Sequence, residues 1–361
     1  MDRTVRIGII GCGGIANGKH MPSLSVIPNV EMVAFCDIII EKAEAAAKKY
    51  GTPDAKVYTD YKELLKDESI EVVHVLTPNK EHAEISIDAL RAGKHVMCEK
   101  PMAKTAADAR RMVEAAKETG KKLTIGYQHR QKPQSQFAKT IIDNGELGEI
   151  YYANCLATRR RGTPNWGVFL NEEEQGGGPI IDIATHSLDL TLALMNNYEP
   201  SVVLGKTHKK LEHPEAGNIW GDNGVSTTPL EEAACAMVVM KNGATIMLET
   251  SWALNTSEPV AEGSCVLCGS KAGLQIKNDI LTINKVEYDR QINTKVDMSA
   301  GGVAFYDGVK ETPAITEARN WIKAIVNDTD PVVLPEQALV VSEILEAIYT
   351  SSKTGKPVFF E

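Results

Sequence analysis

Short apolar runs recur through the first third of the chain, at 5–10, 30–36, 72–76, 96–98 and 123–126. Between them, at 41–50, 61–66, 81–91 and 106–119, apolar residues recur every three or four positions. The first kind of run is strand-length, and the second is the signature of an amphipathic helix. Their alternation predicts an α/β domain built on a parallel, doubly wound sheet. The helix over 106–119 carries its own stop signal, Gly120 followed by Lys121 and Lys122. The first domain is therefore expected to span 1–126.

Past Gly148 the rhythm changes to long β-rich runs at 150–159, 201–211, 233–240, 244–252 and 264–276. Asn242-Gly243 sits between two of them and marks a hairpin. The pattern predicts a second domain over 127–361, an α/β unit with an open, largely antiparallel sheet. The stretch 236–240, Ala-Met-Val-Val-Met, is apolar on both faces. One face should pack helices and the other should be covered by another subunit. Two tail helices, 318–326 and 335–351, flank Asp328-Thr329-Asp330-Pro331.

Composition narrows the class. A chain of 361 residues with 43% hydrophobic content is long enough for two domains with substantial cores. A net charge of -9 and a pI near 5.5 exclude a general nucleic-acid binder, which needs a basic face. The one basic run, Arg159-Arg160-Arg161, is short. No apolar stretch approaches the roughly 18 residues of a membrane span, and Met1-Asp2-Arg3-Thr4 leads straight into a strand without a signal-peptide core. A cytoplasmic protein is expected. Its seven cysteines are irregularly spaced and fit buried, reduced thiols better than bridges. Cys265 and Cys268 form a C-x-x-C that reads either as part of a strand or as half of a zinc or redox site.

Chemistry concentrates in three places. Gly11-Cys12-Gly13-Gly14-Ile15-Ala16 matches G-x-G-x-x-A directly after the first strand. Gly11 permits the tight turn, Gly13 lets the backbone approach a pyrophosphate, and Ala16 lets the helix pack on the strand. Asp37 closes the second strand at about the 20-residue offset where an acid bonds the adenosine ribose. A carboxylate there repels a 2′-phosphate, and the next residue, Ile38, is not basic, so NAD is favoured over NADP. A glycine turn beside a solvated aspartate is the plainer reading.

Glu99-Lys100-Pro101 closes the run over 96–98. This puts an amine at the carboxyl end of a sheet strand, where open α/β sheets collect ligands. A surface lysine before a loop proline is the alternative. Further on, Gly176-Gly177-Gly178-Pro179 opens a helix whose glycines admit a ligand or another backbone. On it Asp182, His186 and Asp189 form a polar stripe among Ile180, Ile181, Ile183, Leu188 and Leu190. Buried ionisable groups are costly unless paired or used, so the stripe points to function. Asp182 and His186 could share a metal ion, but spacing identifies no third ligand, and no metal is expected. They fit better as acid and base. Oxidising an alcohol requires removal of its hydroxyl proton, with Asp182 orienting His186 and Lys100 bonding the same oxygen.

Gly11-x-Gly13-x-x-Ala16, Thr77-Pro78-Asn79 with His82, Glu99-Lys100-Pro101, and Gly176-Gly177-Gly178-Pro179 with Asp182-x-x-x-His186 together resemble the glucose-fructose oxidoreductase, inositol dehydrogenase and MocA (Gfo/Idh/MocA) family over nearly the whole chain. The resemblance implies an N-terminal Rossmann domain for NAD and a C-terminal α/β domain whose open sheet assembles a homo-oligomer, a dimer or tetramer. It implies Lys100, Asp182 and His186 as the catalytic group, with His186 the proton acceptor. Gly11, Gly13, Gly14, Ile15 and Asp37 would hold the dinucleotide. Thr77, Pro78, Asn79 and His82 would line the nicotinamide side, with Glu99 near its ribose. A cis Lys100–Pro101 bond would fix the aim of the lysine.

The substrates implied are small polyols: sugars, glycosides, sugar acids and cyclitols. Candidate contacts are Tyr127, His129, Arg130, Arg159, Arg160, Trp166 and Asp189, besides Asp182 and His186. The stretch 159–175, with Trp166 and Phe169, is expected to form a loop over the site. Three activities are compatible with these residues. One is an NAD-dependent dehydrogenase acting on a secondary hydroxyl, carbon 3 of a glucoside included. Another is an NAD-using glycosidase that removes and returns a hydride while a glycosidic bond breaks by elimination. The third, a non-catalytic dinucleotide-binding regulator, has no need for Lys100, Asp182 and His186.

Overall fold

The computed structural model describes residues 3–298 and 311–361. Met1 and Asp2, part of the N-terminal stretch read above for a signal segment, lie outside the described residues. The chain forms two compact units. One comprises the residues through Gln128 together with Glu311–Leu339, and the other comprises the rest.

In the first unit β1 (Val5–Ile10), β2 (Val30–Cys36), β3 (Lys56–Tyr58), β4 (Val72–Val75), β5 (His95–Cys98) and β6 (Leu123–Ile125) are all parallel. Their order, β3-β2-β1-β4-β5-β6, reverses direction at β1 and β4. At such a switch point the loops after neighbouring strands diverge and leave a crevice for a ligand. Helix Ile40–Tyr50 packs on β2, and helix His82–Arg91 packs on β5 and on helix Ala106–Thr119. The last of these starts at Thr105, whose hydroxyl accepts the Asp108 N–H, and stops at Gly120 with φ 65°.

Helix Pro313–Val326 returns to this unit from the C-terminal part of the chain. It buries Trp321, Ile322 and Ile325 in one cluster with Val5, Ile7, Leu24, Met32 and Phe35. Each such aliphatic side chain contributes about 1.5–3 kcal/mol on full burial. A linear cut near residue 126 leaves 311–339 with the second domain, whereas its contacts lie in the first unit. Periodicity marks the helix but does not say which core it joins.

The second unit is built on a nine-stranded sheet: β7 (Ile150–Thr158), β8 (Pro200–His208), β9 (Ala233–Met240), β10 (Thr245–Ser251), β11 (Val260–Gly269), β12 (Ala272–Lys277), β13 (Ile280–Glu287), β14 (Arg290–Lys295) and β15 (Val358–Phe359). Its order is β14-β13-β12-β11-β7-β10-β9-β8-β15, antiparallel except for the β7–β10 pair. Asn242-Gly243 turns β9 into β10, with Gly243 at φ 88°. The apolar run over 264–276 is not one strand. It breaks after Gly269 into the β11–β12 hairpin, where Cys268 faces Gly273.

Helix Thr185–Met195 packs on β7 and β11. Along β9, Ala236, Val238 and Met240 are buried while Cys235 and Met237 are exposed. All seven cysteines are free. Cys235 corrects the expectation that every thiol is buried, since period-two alternation turns it to the open side of β9. No described helix is long and apolar enough to cross a membrane.

Candidate active site

In the first unit the turn after β1 depends on Gly11. Its φ is 90°, and a Cβ there would stand 2.6 Å from the Leu76 carbonyl oxygen. Only glycine lets the segments leaving β1 and β4 come this close. Among the described residues, no atom beyond the adjoining residues lies within 4 Å of where Cβ atoms on Gly13 and Gly14 would stand, so the loop presents bare backbone. Asp37 fastens the same turn, accepting from the N–H of Cys12 and of Ile39, both at 2.9 Å. The Thr77 hydroxyl is buried with no partner among the described residues. Bare backbone suits a pyrophosphate and the adjoining carboxylate suits a ribose diol, so these residues fit a dinucleotide. The expected regular helix after the loop is instead π-helical over Ala16–His20 and α-helical over Met21–Leu24. Pro22 has no N–H with which to close an α turn on Gly18.

Lys100 follows β5, and its bond to Pro101 is cis. The neighbouring Glu99 is 6% exposed and fully engaged. Its Oε1 accepts from Lys19 Nζ at 2.8 Å and lies 2.7 Å from His20 Nε2, while Oε2 accepts the Lys100 N–H at 3.0 Å. Lys19 also pairs with Glu317 of the returning helix at 2.8 Å. His20 Nδ1 lies 3.2 Å from His74 Nδ1. Burial by itself would raise the Glu99 pKa, but the charge of Lys19 and the His20 bond outweigh it and hold the carboxyl well below the usual range. Burial also opposes charge on Lys19, and the two carboxylates prevail and raise its pKa. His82 is buried, with its ring nitrogens 2.8 Å from the Pro101 carbonyl oxygen and 2.9 Å from that of Thr77. It braces the loop carrying Thr77, Pro78 and Asn79 against the one carrying Lys100.

In the second unit the glycines before the Asp182 helix admit protein rather than ligand. A Cβ on Gly177 would stand 2.1 Å from the Tyr349 hydroxyl, and one on Gly178 2.7 Å from the Glu231 carbonyl oxygen. The Glu231 carboxylate accepts the Gly178 N–H at 3.0 Å and the Tyr349 hydroxyl at 2.7 Å, fixing where the helix begins. That helix opens with a π-helical turn, Ile180–Ala184, which carries Asp182, and continues as Thr185–Met195. Asp182 Oδ2 accepts from Trp252 Nε1 at 2.9 Å and lies 3.8 Å from the Arg159 guanidinium.

His186 meets the ring of His129 edge-on, with centroids 4.8 Å apart. Glu262 joins them, and the ligand-type atoms of His129, His186 and Glu262 all lie within 4.8 Å of one another. The charge of Glu262 is already answered by Arg159 at 3.0 Å.

The structure thus gathers Asp182, His186, His129 and Arg159, and it splits the polar stripe. Asp189 is fully buried and bonded twice by Arg130, at 2.6 and 2.9 Å, so these two candidates face each other. Trp166 packs against Phe169 and Trp220, with ring centroids 5.4 and 4.8 Å away. In the first unit Gly11, Gly13, Gly14, Ile15, Asp37, Thr77, Pro78, Asn79, His82, Glu99 and Lys100 follow the carboxyl ends of β1, β2, β4 and β5. Tyr127, after β6, is buried.

Sequence reasoning missed Lys19, His20, Trp252, Glu231 and Glu262. The adjacency of Lys19-His20 to the glycine motif, and a Glu pair at the mouth of the apolar run 233–240, were the available signals for the first two and for Glu231. Glu262 and Trp252 left none.

Comparison with known proteins agrees with this organisation. Residues 5–127 match the model for an oxidoreductase family with an NAD-binding Rossmann fold, and residues 139–360 match the model for that family's C-terminal alpha/beta domain. D-glucoside 3-dehydrogenase of Escherichia coli strain K12 is 33% identical over 359 residues, 98% of this chain and 97% of that protein. Inositol 2-dehydrogenase of Salmonella typhimurium strain LT2 is 41% identical over 147 residues, 40% of this chain and 44% of that one. Among solved structures, levoglucosan dehydrogenase in complex with NADH and levoglucosan has a TM-score of 0.83 at 22% identity over 99% of each chain. Aldose-aldose oxidoreductase of Caulobacter crescentus has a TM-score of 0.81 at 22% identity, over 99% of this chain and 100% of that one. At that identity these two structures speak to the fold alone. The chain belongs to the Gfo/Idh/MocA family of oxidoreductases.

Proposed function

We propose that this oxidoreductase is an NAD-dependent dehydrogenase that oxidises a secondary hydroxyl of a sugar, glycoside or cyclitol, with carbon 3 of a glucoside as the first candidate position. The observation that carries this reading is the buried cluster of the second unit, in which His186 packs on His129 while Trp252 and Arg159 hold Asp182. Similarity to D-glucoside 3-dehydrogenase over nearly the full length supports the choice of a glucoside. Asp37 beside the bare glycine loop supports NAD over NADP.

Bound NAD supplies a hydride acceptor. The chain does the rest. The backbone of the glycine loop receives the pyrophosphate, and Asp37 the ribose diol. His186 takes the hydroxyl proton on an imidazole nitrogen as the C–H bond gives up its hydride, so the alcohol becomes a ketone. Asp182 compensates the charge that His186 gains. Lys100 donates a hydrogen bond to the reacting oxygen, and His82 and Glu99 set the loop from which it projects. A second copy of the chain is proposed to cover the open side of the sheet where Leu204 and Met237, paired across β8 and β9, are exposed.

The deciding experiment is a screen of sugars, glucosides and inositols with NAD and with NADP, read by the absorbance of the reduced cofactor. Net NADH formation on a glucoside is expected. Leaving-group release with no NADH accumulation would replace this reading with the glycosidase one.

A further inference from the structure

Beside the Asp182–His186 cluster, the second unit opens into a pocket of about 970 Å³. Arg159 and Glu262 belong to both. They line the pocket, while Arg159 lies 3.8 Å from Asp182 and Glu262 stands in the group with His129 and His186. The pocket is therefore continuous with the place where the reacting hydroxyl is proposed to sit. Its volume lies at the upper end of the roughly 300–1,000 Å³ typical of ligand sites, more than one pyranose or inositol ring requires.

The walls are tied together rather than loosely apposed. Arg161 donates to the Ala216 carbonyl oxygen at 3.1 Å and to Asn255 Oδ1 at 2.6 Å. The Asn218 side chain accepts the Thr163 N–H at 2.9 Å and donates to the Thr163 carbonyl oxygen at 3.1 Å. The loops around 159–163 and 216–221 are thereby laced into one wall. Its chemistry is two-sided. Ile219 and Pro259 give an apolar surface, Arg160 and Asn255 line it with donors, and the Arg159 guanidinium sits 5.7 Å from the Trp220 ring centroid. An apolar flank beside a donor-rich edge matches a sugar ring, which has apolar C–H faces and a rim of hydroxyl oxygens.

We infer that this pocket is an aglycone subsite that takes the second ring of a disaccharide, or another ring-sized aglycone bearing hydroxyls. The substrate class is then a two-ring glycoside rather than a free monosaccharide or cyclitol. The inference rests on the proposed location of the reacting hydroxyl at His186 and Asp182.

Binding tests it apart from turnover. Calorimetric titrations in the presence of NADH, where oxidation cannot proceed, compare glucosyl-glucose disaccharides of each linkage with methyl glucosides and myo-inositol. At least one disaccharide should bind about tenfold or more tightly than the matching methyl glucoside. Ile219→Trp, a change at a side chain 69% exposed, fills the pocket and should bring that ratio close to one, while Ile219→Ala should keep most of it. Equal affinities in the unaltered protein, a ratio unmoved by Ile219→Trp, or no sugar binding at all would overturn the subsite. Disaccharide binding that behaves as expected, with no NADH formed from any polyol in the activity screen, would uphold the pocket and reject the dehydrogenase reading.

Discussion

Lys19 Nζ stands 2.8 Å from Glu99 Oε1, with the two side chains 10% and 7% exposed. The pair joins the helix after the glycine loop to the residue beside Lys100, and Glu317 ties it to the returning helix. Bringing such charges out of water is unfavourable. What makes it tolerable is that Glu99 also accepts from His20 and from the Lys100 N–H. Removing Lys19 leaves two buried carboxylates facing each other. Lys19→Met should therefore lower the unfolding free energy by about 3–5 kcal/mol, measured by urea denaturation. A loss below about 1 kcal/mol would mean that solvent or repacking replaces the lysine.

Acid sensitivity follows from three histidines. Burial lowers the pKa of His74 well below its ordinary value, lowers that of His82, and pulls His95 down to about 4. His95 Nδ1 accepts the Lys122 N–H at 2.9 Å, a bond that protonation would remove. For a group whose folded pKa is depressed, the unfolded chain binds the proton more readily. Stability is then present above the unfolded value near 6.5 and drains away as pH falls toward the folded value. Glu99 adds to this below about 4.5. Glu231 works in the opposite sense. Burial raises its pKa, so its contribution is lost as pH rises. Three groups against one should make Tm fall steadily between about pH 7 and about pH 5. His95→Asn should shallow that slope. A Tm indifferent to pH over this window would show that these rings are not held neutral.

Glu231 and Tyr349 define where the Asp182 helix starts, and they occupy the space that side chains at 177 and 178 would need. Glu231→Gln keeps the shape but weakens the acceptor facing the Gly178 N–H. A shift of the helix start moves Asp182 and His186 together, and displacements near 1 Å can cost about a hundredfold in rate. The expected result is a kcat lowered by about 10- to 100-fold with KM for NAD nearly unchanged. Gly177→Ala, which places a methyl against the Tyr349 hydroxyl, should reproduce it and lower Tm as well. An unchanged kcat in both variants would leave Glu231 with no part in positioning.

Lys100 and His186 have separable jobs in the proposed reaction. Neither is part of the glycine loop or its Asp37 clasp. Lys100→Ala and His186→Ala should each remove most turnover, by roughly 100-fold or more, while NAD affinity measured by titration stays within about threefold. Full turnover in either variant would sink the mechanism.

Much of this was readable from residue pattern, because strand and helix periods and glycine turns are local. The switch from alternating α/β to β-rich runs at Gly148, the cap at Gly120 and the Asn242-Gly243 hairpin all depend on a few neighbouring residues. What escaped depends on pairs far apart in the chain. Glu317 reaches Lys19, Tyr349 reaches Glu231, and Trp252 reaches Asp182, with no periodicity to announce any of them. The stripe Asp182, His186, Asp189 shows the same limit. Helical spacing put three residues on one face, and the tertiary pairing of Asp189 with Arg130 took one away. The triple glycine is a further case. Its need for close approach was plain, but what approaches is the Tyr349 side chain and both the backbone and the side chain of Glu231, all of the same unit.

The proposed function gives Asp37 a second duty beside the loop bond, and the cofactor ratio separates the two. Its carboxylate accepts the Cys12 N–H and so helps shape the loop for either dinucleotide. Its charge, in the proposed function, is what separates a ribose diol from a 2′-phosphate. Asp37→Ser retains a short acceptor for the loop while removing the charge. Loss of loop order would weaken NAD and NADP alike, whereas loss of the charge favours NADP alone. A charged hydrogen bond of about 1.5–3 kcal/mol corresponds to roughly a 10- to 100-fold change, so kcat/KM for NAD relative to NADP should fall by at least tenfold. A ratio that stays fixed while both activities drop would assign Asp37 to the loop and not to the ribose.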